Sequence, residues 1–198
     1  MATETAVARP ILLQGWGVRA TLKGDKTQTR RVIKPQPEYH EGTIGAEYFG
    51  WRHPKNGKTY INMDPPLCLY GQPCDLLWVR ETWCSPGLDS EHKPIICYRA
   101  SGDPVTNGTP WRPSIHMSRC LSRLTLRITA IRVQRVQEIT DGDVAAEGVD
   151  WSSTRIGNDH GSPARDAYAY LWDGPNAKRG YSWESNPWVW AISYEVVR

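Results

Sequence analysis

From Arg123 to Ala130 polar and apolar residues alternate without a break, with Leu124, Leu126, Ile128 and Ala130 separated by Arg123, Thr125, Arg127 and Thr129. A period of two sends successive side chains to opposite faces, so the segment predicts a strand with one face on a core and one polar, basic face. The phase slips at Ile131 and Val133, and a β-bulge near Ala130 is the simplest account. At the other end of the chain, Trp188, Trp190, Ile192, Tyr194 and Val196 share one face of a second long strand. Shorter strands are predicted at Ile11-Leu12-Leu13, at Leu76 to Trp83, and at Ile95 to Tyr98. A polar, basic, β-prone segment runs from Lys26 to Ile33.

Helical signals are brief. A turn from about Gly17 to Lys23 has Val18 and Leu22 on one face and Gly24 as its stop. Thr140-Asp141 starts a short helix with Val144 to Glu147 as its body, closed by Gly148. Ser162-Pro163 starts another, with Ala164, Ala167, Tyr168, Leu171 and Trp172 at amphipathic spacing. Pro35 and Pro37 open an irregular stretch to about Pro66, with a hairpin turning at Asn56-Gly57 between Tyr48–Arg52 and Thr59–Ile61. Several strands with a few short helices predict an α+β fold, read as one domain over residues 1–198 with insertions at about 38–62 and 84–115.

At 198 residues the chain is long enough to bury a core unaided. Its apolar runs are far short of the roughly 18 residues that span a bilayer. The first nine residues lack the apolar stretch of a secretory signal, so the expected location is a reducing cytoplasm, with Cys68, Cys74, Cys84, Cys97 and Cys120 as free thiols. Those cysteines include no C-x-x-C pair, and the histidines show no metal spacing, so neither a metal site nor a cofactor is predicted.

The net charge of +3 hides an asymmetry. Residues 9–34 hold seven basic residues against Asp25 alone, residues 104–137 hold six arginines and no acid, and residues 138–198 hold ten acids against five bases. Two basic blocks brought together would suit phosphate. The competing expectation is that these arginines pair with the acidic C-terminal third. Ten Trp and nine Tyr against a single Phe supply rings with polar handles, suited to stacking or to core packing.

Five segments together resemble a known family. They are Gly24-Asp25-Lys26-Thr27-Gln28-Thr29-Arg30-Arg31, Asp75 to Trp83, Tyr98-Arg99-Ala100, Trp111 to Met117, and Asn186-Pro187-Trp188-Val189-Trp190. In combination they look like the ASCH domain, in the long form carried by bacteriophages and prophages. The resemblance implies a PUA-like small β-barrel with short peripheral helices and loop insertions, a fold associated with RNA, nucleotides and modified bases. One small member of that family is an amidohydrolase that removes the acetyl group of N4-acetylcytidine, and others are described as ribonucleases. The amidohydrolase's Lys, Thr and Glu fall here on Lys26, Thr29 and Glu147, and Arg31 matches a neighbouring basic residue. Cys74 stands where the family's turn usually has Gly, and Cys120 where phage sequences often have an aromatic.

A Thr hydroxyl attacks an amide carbon only if a base takes its proton, and a neutral Lys can do so. Bringing Lys26 from about 10.4 to about 7 takes roughly 4–5 kcal/mol, from burial and from the positive charge of Arg30 and Arg31. Lys and Thr at i and i+3 do not share a strand face, so a bend must separate them. Glu147 would hold the pair and protonate the departing amine. The function implied is metal-independent hydrolysis of N4-acylated cytosine nucleosides or related modified bases. A noncatalytic module for RNA or a modified base is the alternative, and a ribonuclease a third. Arg30, Arg31, Arg80, His116, Arg123 and Arg127 are the candidates for holding a nucleoside, RNA or modified nucleic acid; no membrane partner is expected, and the oligomeric state is not legible.

Overall fold

The computed structural model describes residues 7–36, 38–41, 47–52, 59–61, 68–105, 108–152 and 159–197. Five strands form the main sheet: β1 (Ala8–Leu12), β2 (Gln28–Val32), β6 (Leu76–Arg80), β9 (Thr125–Arg135) and β10 (Trp188–Val197). Between β2 and β6 lie β3 (Glu38–Glu41), β4 (Glu47–Arg52) and β5 (Thr59–Ile61), and between β6 and β9 lie β7 (Trp83–Leu88) and β8 (Pro94–Tyr98). Among the described residues three α-helices accompany them, α1 (Gly15–Lys23), α2 (Asp141–Ala146) and α3 (Pro163–Asn176). The fold is α+β, as the patterning predicts.

The order across the main sheet is β1-β6-β9-β10-β2. Only β1 and β6 run parallel; the other neighbours are antiparallel. The two outer strands also meet, because the Arg31 guanidinium on β2 donates to the Leu12 carbonyl at the end of β1. The sheet therefore curls until its edges approach, and a groove remains between them.

β10 carries the fold. Its alternate residues Trp190, Ile192 and Tyr194 enter one core with Ile11, Val18, Leu77, Val79, Leu126 and Ile128. Val189 faces the other way, into a second core with Val136, Val144, Ala167, Tyr168 and Trp172. Burial on both sides fits its central position, with β9 on one flank and β2 on the other. The predicted bulge is present: Ser193 pairs with Ala130 and Tyr194 with Ile128, which leaves Thr129 as the extra residue of β9.

Local chemistry sets the helix ends. Gly24 closes α1 in the left-handed region (φ 88°), with its N–H donating to the carbonyls of Ala20 and Thr21. Thr140 caps α2 in a reciprocal box with Asp143, and the Ser162 hydroxyl caps α3 by accepting from the Arg165 N–H, with Pro163 next. The expected strand from Leu76 to Trp83 breaks after Arg80, and Trp83 instead opens β7, which pairs with β8. Where the first insertion is expected, β4 and β5 pair antiparallel as the hairpin reading requires, with Trp51 opposite Tyr60, and β3 adds a third strand. The Asn56-Gly57 turn lies outside the described residues. Cys74 has φ 77°, which explains why glycine suits this turn.

Gly148 has a packing consequence that bears on the site. It has φ 74°, and a Cβ there would lie 2.8 Å from the Cβ atoms of both Ala20 and Lys26. Gly148→Ala is expected to destabilise the fold by about 3 kcal/mol, from left-handed strain plus overpacking. Urea denaturation checks this, and an unchanged midpoint would contradict the close approach of α1, Lys26 and the end of α2.

Candidate functional site

The site grows from the junction between α1 and β2. The turn after Gly24 leaves Lys26 outside β2, and Lys26 makes an isolated antiparallel bridge with Glu147. The Thr27 N–H donates to the Ala146 carbonyl at 2.8 Å, and the Thr27 carbonyl accepts from the Tyr194 N–H at 2.8 Å. These bonds supply the bend that Lys26 and Thr29 require. Glu147 is not within α2 but caps its C-terminus, where the close packing of Gly148 brings it beside Lys26.

Lys26 is 3% exposed, and its ammonium donates to Glu147 Oε2 at 2.6 Å, the Glu147 carbonyl at 2.9 Å and the Gln28 carbonyl at 2.8 Å. Its stem packs on Gly17, and its Nζ lies 5.2 Å from the centre of the Trp16 ring. Burial lowers the Lys26 pKa; Glu147 opposes this in part, while Arg31 and Arg30 reinforce it. The net direction is down. This is the direction a lysine base needs.

Strand alternation divides β2 between the two cores. Thr29 pairs with Ile192 and Arg31 with Trp190, so both share the face of the first core. Arg30 lies on the other face, its side chain fully buried against α2 and α3. It donates to Gln28 Oε1 at 2.6 Å and Glu147 Oε1 at 3.2 Å, and lies 3.0 Å from Asp143. The Tyr168 hydroxyl adds a contact to Glu147 Oε1 at 3.4 Å. One carboxylate thus faces two buried cations and a phenol.

Asp143 binds both Arg30 and Arg132. Burial would raise its carboxyl, but Arg132, Arg30 and the Thr140 N–H hold it down at about 2. A carboxyl depressed from 3.8 contributes stability that is present above about pH 4 and lost as pH falls toward 2. The contribution is on the order of 2 kcal/mol. Denaturation at pH 5 and pH 2 should show this loss in the native chain and a reduced loss in Asp143→Asn; equal losses would remove Asp143 from the acid response.

Two adjoining cavities open here. The smaller, about 80 Å³, is lined by Lys26, Thr29, Arg31, Glu147, Tyr168 and Trp16, among others. The larger, about 550 Å³, lies along the gap between β1 and β2 and shares Gln14, Arg30, Arg31 and Trp172 with the smaller. Among the described residues the Thr29 hydroxyl has no hydrogen-bond partner, and the buried Arg31 Nε likewise has none.

The structure brings Lys26, Thr29, Glu147, Arg30 and Arg31 together around the small cavity, and Arg80 lines the large one. The other three predicted binding residues lie elsewhere. Arg123 holds buried Glu81 through two bonds of 2.8 and 2.9 Å and lies over the Tyr98 ring; Arg127 makes an exposed pair with Glu195; His116 is exposed in a short 3-10 turn. None of the three lines either cavity. Arg30, Arg127 and Arg132 pair with acids of the C-terminal third, as the competing charge expectation holds. Tyr168, Trp16 and Gln28 also contact the cluster, although nothing in their spacing separates them from core or strand residues. Among the described residues no group of three or more His, Cys, Asp or Glu could hold a metal ion. Nor is any helix among them long and apolar enough to cross a membrane.

These features define an α+β protein with a buried lysine–carboxylate–arginine cluster at the floor of a cleft. No family model matches the chain, and no curated protein matches it. Solved structures similar to it include an ASCH domain from Lactobacillus crispatus JV V101, at 11% identity and TM-score 0.43 over 96% of this chain and 79% of that one. Another is a DUF984 protein from Enterococcus faecalis V583, at 10% identity and TM-score 0.42 over 97% and 80%.

Proposed function

We propose that the protein is an amidohydrolase that cleaves an acyl group from the exocyclic nitrogen of an N4-acylated cytosine or a closely related base. The observation that carries this reading is the small cavity, which Thr29, with its unpartnered hydroxyl, lines together with the buried Lys26–Glu147 pair. The motif resemblance from Lys26 to Arg31 supports the same roles.

The bound pair can exchange a proton along its 2.6 Å hydrogen bond, leaving a neutral amine and a protonated carboxyl. Lys26 then takes the Thr29 proton as Oγ1 bonds to the acyl carbon. Glu147 gives its proton to the exocyclic nitrogen as the C–N bond breaks, and the pair returns to its charged form. Water afterwards cleaves the acyl-threonine ester, releasing the carboxylic acid and restoring the hydroxyl. Arg31, which lines the same cavity, is the cation suited to the charge that develops on the carbonyl oxygen.

One observation favours a second reading, a binding module without catalysis: all three Lys26 N–H groups already have acceptors. Incubation with N4-acetylcytidine separates the two. Cytidine and acetate in equal amounts support the hydrolase, whereas a bound but unaltered nucleoside supports the module and overturns catalysis.

A further inference from the structure

We infer that the larger groove is a phosphate subsite, so that the ligand of the small cavity is a nucleotide unit rather than a bare nucleoside. The inference builds on the proposed base site. A cavity of about 80 Å³ holds only a few water molecules' worth of ligand, enough for the reacting amide end of a base. The rest of the molecule must lie in the groove of about 550 Å³ that adjoins it.

That groove is basic. Arg31, Lys34, Arg80 and Arg179 line it with the internally paired Arg30, and no Asp or Glu is among its lining residues. Arg30 meets Glu147, and elsewhere Arg9, Arg123, Arg127 and Arg132 each meet a carboxylate, whereas the four other groove cations meet none among the described residues. What contacts they do make position them without neutralising them. Arg80 uses Nε on the Met117 carbonyl and lies over Trp78; Lys34 lies 4.9 Å from the Tyr181 ring; Arg31 donates to the Leu12 carbonyl. Four uncompensated cations around one cleft make a positive potential that a phosphate dianion relieves. Leu69, Tyr70 and Trp190 on the same walls give a sugar or a neighbouring base an apolar surface.

The test is calorimetric binding of cytidine, cytidine monophosphate, a short oligocytidylate, and ribose 5-phosphate beside ribose, at low and high salt. The monophosphate should bind at least about tenfold more tightly than cytidine, with the gap narrowing in salt. Lys34→Ala combined with Arg179→Ala should erase the preference, and Lys93→Ala, a charge change at an exposed pair with Glu91, should not. Equal affinity for cytidine and its monophosphate, or a preference that survives the double substitution, overturns the subsite. A further gain with the oligonucleotide that the double variant loses identifies nucleic acid as the phosphate's source, and no gain identifies the free nucleotide; either result supports the subsite. Ribose 5-phosphate keeps the test independent of the deacylase reading, because its preference over ribose reports the phosphate contacts even if N4-acetylcytidine is never cleaved. Lack of that preference counts against the subsite, while lack of cleavage counts against the hydrolase alone.

Discussion

Thr29→Val is expected to remove cytidine release from N4-acetylcytidine by at least about three orders of magnitude, while Thr29→Ser keeps measurable turnover. Valine preserves the branched shape beside Ile192 but has no oxygen to attack the acyl carbon. The hydroxyl has no partner among the described residues, so its loss breaks no hydrogen bond with them, and the folded state should survive with binding retained. A Thr29→Val protein with native turnover would end the nucleophile assignment. The pH profile gives a second readout. Because the Lys26–Glu147 pair must hold one proton to supply both base and acid, and burial has lowered the Lys26 pKa at which that proton is lost, the rate should fall as pH rises through an ionisation below the ordinary lysine range. Stability runs the other way: the unfolded lysine holds its proton up to about 10.4, so this group's contribution increases with pH between its folded pKa and that value.

Glu147→Ala should be the most destabilising change at the site, by about 3–5 kcal/mol in urea. It leaves Lys26, whose side chain is 2% exposed, without a carboxylate, and Arg30, whose side chain is 0% exposed, with Asp143 alone. Burying a charge costs several kcal/mol, and only a close opposite charge with good hydrogen bonds offsets it. Lys26→Met should cost less, since Glu147 retains Arg30 and Tyr168. The double substitution should recover part of the loss, because no lysine is left unpaired. Independent, additive effects of the two single substitutions would show that the pair is not coupled. Since instability can itself reduce turnover, Glu147→Gln, which keeps the side chain's volume, should be assayed at a temperature where it remains folded.

Much of this architecture was legible in local patterns. Alternation marked β9 and one face of β10, and the phase slip marked the bulge that leaves Thr129 unpaired. Gly24, Thr140 and Ser162 marked helix ends because capping depends on one side chain or on one residue's backbone freedom. The extent of β6 was not legible, since Glu81 and Thr82 look like strand continuation until burial of Glu81 against Arg123 is known. Arginine at alternate positions likewise looks the same whether it faces phosphate or a carboxylate. Only the fold shows that Arg123 and Arg127 meet Glu81 and Glu195, while Arg31 and Arg80 face a cleft without acids.

The sequence by itself determined most strands of the main sheet and the helix ends, because periodicity and caps are short-range properties. Tertiary structure decided whether Lys26 and Glu147 meet, across 121 residues of chain, and whether their charges lie in water or in a core. Pairing strength and pKa depend on burial and on distances between remote segments. Here the bridge between Lys26 and Glu147, made possible by a glycine at 148, sets both.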